Sequence, residues 1–431
     1  ALTGQLITAF QEGFAGDIVV LHSRLSLAER NDAIFRVRRG EAGVIIGARS
    51  ALFTPAGNVG CIILDEEQDM SYKQDESPRY HARVAAEILA RRHRAIVMGS
   101  ATPSLETYAR ALSGELTLLR MPERIGAQPL PHVRSVDMRA ELRHGRRTIL
   151  SNDLRDLLTE TLARGEQAII MLNRRGYSTF VLCRACGFVL SCHACGQPMV
   201  YHANGTLVCH HCDLRADVPA VCPKCGSRCI KYFGAGTEKL EAELAQLLPQ
   251  ARVIRMDRDT TGRKHAHEEI LAHFRRRDYD ILLGTQMVAK GHDLPGVQTV
   301  GIISADASLN LPDFRAAERC FMLITQTAGR AGRHGARGEV IVQTYNPEHY
   351  AVQSALRQDY EAFYAQEIVL RRELFYPPLS RLVKLLFHQM DRQRAWDAAA
   401  AFTDVFQKAF HGRQGYMVIG PSPALIAKER G

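Results

Sequence analysis

Apolar and polar positions alternate in a regular way over the first 112 residues. Four short runs rich in β-branched residues, DIVVLH, GVIIG, CIILD and AIVMG, predict buried parallel strands. The longer stretches between them, SLAERNDAIFRVRRG and SPRYHARVAAEILARRH, have the spacing of amphipathic helices. Strands that alternate with helices in this order predict an α/β unit built on a parallel sheet.

The same pattern starts again at Ser151, after a proline-rich stretch at 113–150 that lacks it and is typical of a linker. SNDLRDLLTETLARG begins with good capping residues and leads into AIIMLN, a buried strand. After residue 234 the pattern continues through TEKLEAELAQLL, RVIRM, DILLG, VGIIS and EVIVQTY. We therefore predict two α/β units, with an insertion in the second. The aromatic and Ala-rich segments from about Tyr350 predict a further small α/β domain.

Residues 183–225, within the insertion, contain eight of the eleven cysteines, arranged as four Cys-x-x-Cys pairs. Each such pair can hold a metal ion from one tight turn, so four pairs fit two tetrahedral zinc sites. Asn204-Gly205, between two short strand-like runs, predicts a hairpin that nests one site inside the other. A disulfide framework and a redox pair are the alternatives, and a redox pair would not need further copies. The predicted sets are Cys192, Cys195, Cys209 and Cys212 for the inner site and Cys183, Cys186, Cys222 and Cys225 for the outer site.

The amino-acid composition indicates the kind of partner and the compartment to expect. There are 55 Lys and Arg residues against 46 Asp and Glu, a net charge of +9 with a pI near 9.0. This excess favours an anionic partner such as nucleic acid, with a basic solvated surface as the alternative. No run of 18 apolar residues occurs, so no membrane span is predicted. The start of the chain lacks a secretory pattern, and with reduced cysteines we expect a cytoplasmic protein.

Candidate catalytic residues of the first unit follow two of its predicted strands. Asp65 and Glu66 come directly after CIILD, where an Asp can hold Mg²⁺ and the next carboxylate can activate water. An acidic surface loop is the alternative. Gln68 follows, and Ser100 and Thr102 end the next strand, where their hydroxyls could relay the state of a nucleotide site.

In the second unit the run QTAGRAGR carries the candidate phosphate contacts. Two arginines of this run, Arg330 and Arg333, are three residues apart, so their guanidinium groups can project from one helix face toward phosphates. Gln326 begins the same run and is a further candidate. A flexible basic loop is the alternative.

Two further stretches predict contacts to a nucleic-acid strand or to a nucleotide. GTQMVAKGHD, which includes Thr285, Gln286 and Gly291, follows a predicted strand with hydroxyl, amide and backbone donors. A plain turn is the alternative there. The loop after DEEQ mixes aromatic and cationic side chains suited to bases and phosphates, or to packing against a helix. Its candidates are Tyr72, Lys73, Arg79 and Tyr80.

Taken in order, these motifs resemble those of superfamily-2 DNA helicases, and more closely the primosomal replication-restart helicases. DEEQ is similar to the Walker B motif, GSATP to motif III, GTQMVAKGHD to motif V and QTAGRAGR to motif VI. GARSALFTP, LDEEQDMSYKQDESPRYHAR, LNRRGY, the cysteine block, LPDFRAAER and YPPLSRL extend the resemblance along essentially the whole chain. It implies two RecA-like P-loop NTPase lobes, the first one incomplete, with a two-zinc insertion in the second.

The resemblance also implies an activity and partners. ATP hydrolysis with Mg²⁺ would drive 3′-to-5′ movement on DNA, at stalled forks and D-loops. The partners would be primosome and helicase-loading proteins and single-stranded DNA-binding protein, and the enzyme would be a monomer. Asp65 would bind Mg²⁺ and Glu66 would activate water. Arg330 and Arg333 would contact the γ-phosphate, and Gln326 would touch the nucleotide.

Two departures from the family pattern stand out. Gln68 occupies the position of a usual His, and no G-x-x-x-x-G-K-[ST] occurs in the 431 residues. We therefore expect a fragment whose phosphate-binding loop and N-terminal DNA-binding region lie upstream, and whose C-terminal domain stops short. A zinc-bearing docking scaffold without motor activity is the alternative function. The expected boundaries are 1–118 for lobe 1, 119–150 for the linker, 151–182 with 230–350 for lobe 2, 183–229 for the zinc insertion and 351–431 for the C-terminal domain.

Overall fold

The structure is a computed structural model of the chain. The chain forms two compact units, the first ending at Pro122 and the second beginning at Glu123. The described residues are 4–14, 17–22, 25–91, 95–123, 128–172, 179–202, 205–210, 212–232, 236–257, 260–261, 266–286, 288, 294–333 and 337–422.

In the first unit the predicted strands pair in parallel, β1 with β2 and β3 with β4. The helix α2 begins at a capping box, because Ser26 Oγ accepts from the backbone N–H of Glu29 and the Glu29 carboxylate accepts from that of Ser26. The elements are α1 (Gly4–Gly13), β1 (Ile18–Leu21), α2 (Leu27–Arg38), β2 (Val44–Gly47), β3 (Cys61–Asp65), α3 (Ala82–Ala90), β4 (Ala95–Gly99) and α4 (Leu105–Leu112), with 3₁₀ turns at Arg49–Phe53 and Met70–Tyr72.

Strands β3 and β4 are less buried than the sequence predicts. Leu64 is only 3% exposed, but Ile63 is 67% and Val97 48% exposed, and Cys61 is exposed as well. The two strands form a sheet of their own within the described residues, so one face has little packed against it. The prediction of fully buried strands is therefore wrong for this pair.

The second unit is built on a six-stranded, all-parallel sheet in the order β12-β13-β6-β14-β15-β5. Ser151 caps the N-terminus of α6 as predicted, by accepting from the backbone N–H of Leu154. The elements of the sheet and its helices are β5 (His132–Asp137), α5 (Met138–Arg143), α6 (Asn152–Ala163), β6 (Gln167–Leu172), α7 (Thr237–Leu247), β12 (Val253–Met256), α8 (Ala266–Arg275), β13 (Ile281–Gly284), β14 (Val297–Ile303), α9 (Asp306–Leu309), α10 (Ala316–Ala328) and β15 (Glu339–Thr344).

The central strands of this sheet form the core of the second unit. Every residue of β6 and β13 is buried, and so is most of β14. Fully burying a Leu or Ile side chain contributes about 1.5–3 kcal/mol, so these strands anchor the unit. β5 and α5 lie inside the stretch predicted as a linker at 119–150, and β5 pairs with β15 along its whole length. The connection between the units is therefore shorter than predicted.

The cysteine-rich insertion is a small antiparallel sheet in the order β10-β9-β8-β7-β11, with its own apolar cluster. The predicted hairpin is present, because β8 and β9 pair antiparallel from Val200↔Val208 to Tyr201↔Leu207. Gly205 has φ +86, and Asn204 lies outside the described residues. The strands are β7 (Thr179–Cys183), β8 (Val200–Tyr201), β9 (Thr206–Val208), β10 (Arg215–Asp217) and β11 (Ile230–Tyr232). The predicted fold class, α/β with an insertion of two cysteine groups in the second unit, is confirmed.

The C-terminal stretch is helical where the structure describes it. α11 and α12 pack on α10, whereas α13 has no buried residue. Between residues 345 and 422 the described chain forms no strand, so only the helical part of the predicted α/β domain is seen. The helices are α11 (Tyr350–Leu356), α12 (Tyr360–Glu373) and α13 (Arg392–Phe410). No helix among the described residues combines the length and apolar character that a membrane crossing needs.

Candidate catalytic turn, phosphate contacts and metal sites

The acidic turn after β3 is tied by side chains to the end of β4. Glu66 has φ +49, an uncommon backbone conformation for a non-glycine residue, and its carboxylate accepts from Gln68 Nε2 at 2.5 Å. Ser100 Oγ donates to Gln68 Oε1 at 2.6 Å, and the Thr102 N–H donates back to Ser100 Oγ at 2.9 Å. Four of the predicted residues thus form one hydrogen-bonded chain beside Asp65.

Thr102 joins this hydrogen-bonded chain through its backbone N–H and not through its side chain. Its side chain is fully buried, yet Oγ1 has no hydrogen-bond partner within the described part of the chain. A buried hydroxyl without a partner costs free energy. Ser100, in contrast, both donates and accepts, so the link from the acidic turn to the β4 end runs through its hydroxyl.

The loop from Tyr72 to His81 is anchored to this turn by contacts inside the unit. The Tyr72 hydroxyl donates to the Asp65 carbonyl at 2.7 Å. Burial and the nearby carboxylates of Asp65 and Asp69 raise the pKa of Tyr72 to about 12, so the hydroxyl stays a donor at neutral pH. Tyr80 packs edge-to-face on Phe53, with ring centroids 5.1 Å apart. Both aromatic candidates therefore help to hold the loop.

The cationic candidates of the loop have a different environment. Lys73 and Arg79 are exposed, so they can meet an anionic strand without losing a buried contact. Sequence reasoning missed Arg49, whose Nη1 donates to the carbonyls of Ser71 at 2.8 Å and Lys73 at 2.6 Å. The run GARSALFTP was the only signal for it, because the two ends of this contact are far apart in the sequence.

In the second unit the phosphate candidates lie at opposite edges of the parallel sheet. Thr285 and Gln286 follow β13 at its carboxyl edge. Gly332, two residues after Arg330, donates its N–H to the carbonyl of Val297, the first residue of β14, which places that turn at the amino edge. Among the described residues, Thr285 and Gln286 therefore do not lie beside the QTAGRAGR turn.

Gln326 and the two arginines stay near each other at the end of α10. Arg330 is buried, with 8% of its surface exposed, and Arg333 Nε donates to the carbonyl of Gly329 at 3.1 Å. Gln326 lies in the last turn of the helix and is half-buried. Gly291 lies outside the described residues.

Each Cys-x-x-Cys pair of the insertion forms the same tight turn. The N–H after the second cysteine donates to the carbonyl of the first, for example from Gly187 to Cys183 and from Gly226 to Cys222, each at 2.8 Å. The donor residue has positive φ in all four turns, where glycine is favoured. Asp213 takes that position in the third turn, with φ +58.

The four turns assemble two groups of four sulfurs. All Sγ atoms within a group lie within 4.8 Å of one another. Two of the Sγ–Sγ distances between the pairs are 3.7 Å in the outer group, and two are 3.4 Å in the inner group. Zinc–sulfur bonds of about 2.3 Å in a tetrahedron separate the sulfurs by about 3.8 Å, so both groups fit the ion. The outer group is Cys183, Cys186, Cys222 and Cys225, and the inner group is Cys192, Cys195, Cys209 and Cys212, as the hairpin predicted.

Backbone donors prepare one thiol of each group to bind a metal ion. Burial acts to raise the pKa of Cys192, but hydrogen bonds from the N–H groups of Ala194 and Cys195, together with those to the Cys212 and Cys195 thiols, lower that pKa to about 7. Cys222 shows the same balance, with two N–H groups of its own turn, and its pKa is also lowered to about 7. A thiolate is the form that binds zinc. Four cysteines close each site, so the ions would be structural.

The outer group lies against the parallel sheet. A Cβ added to Gly187 would come closer than 3.0 Å to the carbonyl oxygen of Tyr345, just beyond β15, and 3.3 Å from Arg139 Cδ. Glycine is therefore required there by the close approach as well as by its φ of +76. On the inner side, His202 and His210 face each other with their Nε2 atoms 3.0 Å apart.

Comparison with known proteins shows which proteins this chain is similar to. Residues 224–335 match the helicase conserved C-terminal domain. The replication restart protein PriA of Bacillus subtilis is 47% identical over 430 residues, covering 99% of this chain and 53% of that protein. The Synechocystis protein of the same name is 42% identical over 438 residues, with 99% and 52% covered. The chain spans about half the length of the curated relatives it matches. A crystal structure of the helicase MrfA bound to DNA gives a TM-score of 0.46 at 13% identity, covering 83% of this chain and 40% of that one.

The parallel sheets, the match to the helicase conserved C-terminal domain and the two four-cysteine groups define an α/β protein with a helicase-type domain and an insertion suited to two zinc ions. Relatives at 40–47% identity cover nearly the whole chain. Over nearly its whole length the chain is similar to proteins named replication restart protein. The resemblance recognised in the sequence motifs is thereby confirmed.

Proposed function

We propose that this chain carries most of the motor of an ATP-dependent DNA helicase that acts in replication restart. The observation that carries the proposal is the hydrogen-bonded chain from Glu66 through Gln68 and Ser100 to Thr102. Such a chain can pass a change at a reacting phosphate into the loop after β4. Asp65 holds Mg²⁺ and Glu66 orients the attacking water. Gln68, at the position of a usual His, forms two hydrogen bonds of this chain, to Glu66 and to Ser100.

The remaining assignments follow from the family. Arg330 and Arg333 stabilise charge on the transferring phosphate, and Gln326 contacts the nucleotide. Lys73 and Arg79 contact the DNA backbone, with Tyr72 and Tyr80 shaping their loop, and Thr285 and Gln286 contact the strand from the second unit. The two zinc ions hold the insertion together. The proposed domains keep the predicted boundaries, except that the linker ends before β5.

The proposed substrate is a stalled fork or D-loop, with movement 3′-to-5′ along one strand in the cytoplasm. The partners are the primosome and helicase-loading proteins and single-stranded DNA-binding protein, and the active form is a monomer. The test uses the full-length protein that contains this sequence and fork substrates with a single-stranded arm of one polarity. We expect ATP-dependent unwinding that requires the arm read 3′-to-5′. Equal unwinding of both polarities would contradict the direction. DNA binding without any unwinding would favour the docking scaffold.

A further inference from the structure

Glu67, the acidic residue after Glu66, is buried and hydrogen-bonded inside the first unit. Glu67 is 1% exposed, and its carboxylate accepts from Arg83 Nη1 at 2.6 Å, from the Ser104 N–H at 2.6 Å and from Thr107 Oγ1 at 3.0 Å. Arg83 Nη1 also donates to the Ser104 and Thr107 hydroxyls. A carboxylate buried this deeply is tolerated only when its charge is paired and its oxygens are hydrogen-bonded, and both conditions hold here.

In the sequence, Glu67 lies between Glu66 and Gln68, two of the four residues of the hydrogen-bonded chain. The side chains of Glu66 and Gln68 bond to each other, while the Glu67 N–H donates to the Gly99 carbonyl at 3.1 Å. The carboxylate of Glu67 points instead to α3 and α4. Glu66 and Gln68 are joined to Glu67 through the backbone, so the buried contacts of Glu67 restrain the segment that carries Glu66.

Arg83 provides the link from this turn to the nucleic-acid loop. It lies two residues after His81, which ends the loop and caps α3 by accepting from the Arg83 N–H at 3.3 Å. His81 also forms a β-bridge with Lys73 across the loop. At its other end, the Tyr72 hydroxyl bonds to the Asp65 carbonyl. The loop is thus fixed to the acidic turn at both of its ends.

We propose that Arg83 is a positioning residue that couples nucleic-acid binding at the loop 72–81 to the orientation of Glu66 through the buried carboxylate of Glu67. The proposal rests on the proposed function, because it needs an ATPase that DNA stimulates. A strand that binds Lys73 or Arg79 shifts the end of the loop, and Arg83 transmits that shift to the turn. Without the three-way contact of Arg83, the loop still binds DNA but no longer reorients Glu66.

The chain offers a matched control for the Arg83 contact. Arg110 of α4 also links that helix to α3, through an ion pair with Glu87 at 2.7 Å, and it pairs with Glu115 after α4 at 2.8 Å, but it has no bond to the acidic turn. Arg83→Lys keeps the charge near Glu67 but replaces the guanidinium with an ammonium group on a different stem, which cannot reproduce the three-way contact. Arg110→Lys makes the same chemical change outside the coupling path. Thr107→Val removes one hydroxyl from the cluster with little change of volume, and it serves as a milder variant if Arg83→Lys fails to fold.

The experiment measures ATP hydrolysis by the full-length protein with and without single-stranded DNA, and DNA affinity by fluorescence anisotropy. For Arg83→Lys we expect the stimulation ratio to fall at least about fivefold, in the range of allosteric couplings. The DNA dissociation constant should change less than about twofold, because no DNA contact is removed. Thr107→Val should lower the ratio by a smaller factor. Arg110→Lys should leave the ratio and the affinity unchanged.

Three outcomes would overturn the proposal. A folded Arg83→Lys protein with an undiminished stimulation ratio excludes the coupling role, and so does an unchanged ratio in Thr107→Val if Arg83→Lys does not fold. An equal loss in Arg110→Lys would show that only general stability is involved. A wild-type protein whose hydrolysis DNA does not stimulate would instead contradict the proposed function itself.

Discussion

Gly187 gives a sharp test of how the insertion is attached to the second unit. An alanine there meets two separate costs, a left-handed backbone at φ +76 and a Cβ that lies closer than 3.0 Å to the Tyr345 carbonyl oxygen. Gly226 occupies the matching turn of the same metal group with φ +70, but apart from its two chain neighbours no described heavy atom would lie within 4 Å of a Cβ there. Gly226→Ala therefore isolates the backbone cost, and the difference between the two variants isolates the contact with the sheet.

The backbone cost of a non-glycine residue in this conformation is about 1–2 kcal/mol and is common to both variants. Forcing extra atoms into a filled contact adds typically about 1–3 kcal/mol. We therefore expect Gly187→Ala to lower the free energy of unfolding by about 2 kcal/mol more than Gly226→Ala does. Urea unfolding with zinc present, followed by near-UV circular dichroism, measures both values. Limited proteolysis should cut first at the ends of the insertion in Gly187→Ala. Equal destabilisation of the two variants would refute the close contact between Gly187 and the Tyr345 carbonyl, just beyond β15.

Three further predictions follow from the sites. Metal analysis should find two zinc ions per chain. A variant that combines Cys192→Ser and Cys222→Ser, one change in each group, should lose both ions. One ion or none in the wild type would refute the two four-cysteine sites. The 431 residues alone should hydrolyse little ATP, since they contain no G-x-x-x-x-G-K-[ST], and DNA-stimulated hydrolysis by this chain would contradict that expectation. Burial raises the pKa of Asp306 from 3.8 to about 6. Between about pH 4 and pH 6 the unfolded chain has lost this proton while the folded protein still holds it. The free energy of unfolding therefore falls by roughly 3 kcal/mol as the pH rises through this range. Asp306→Asn should remove that loss, and urea unfolding of both proteins at pH 4.5 and pH 7 should show a wild type that weakens relative to the variant.

Features set by local chemistry could be predicted from the sequence. The spacing of the Cys-x-x-Cys pairs and Asn204-Gly205 predicted which cysteines share a group, because a tight turn and a hairpin each involve few residues. The strands and helices of the two units follow from periodicity over about ten residues. Ser151 was likewise predicted as a cap from its position before an apolar helix pattern.

Features set by distant partners could not be predicted in this way. Arg83 looks like a solvated helix residue in the sequence, and only the fold places it beside Glu67 and Ser104. Burial of β3 depends on what covers its faces, which the run CIILD does not record. β5 was missed because HVRSVD is a weak pattern, and its pairing with β15 joins segments about two hundred residues apart.

The central claim is that the turn after β3 is the catalytic turn of an ATP-driven motor. The direct measurement compares DNA-stimulated ATP hydrolysis by the full-length protein with that of Glu66→Gln, which keeps the shape of the side chain but removes its charge. Glu41→Gln, an exposed change in the same unit, is the control. We expect Glu66→Gln to lose at least about a hundredfold in rate, in line with removal of a general base, while DNA binding and the control stay as in the wild type. A Glu66→Gln protein as active as the wild type would contradict the account.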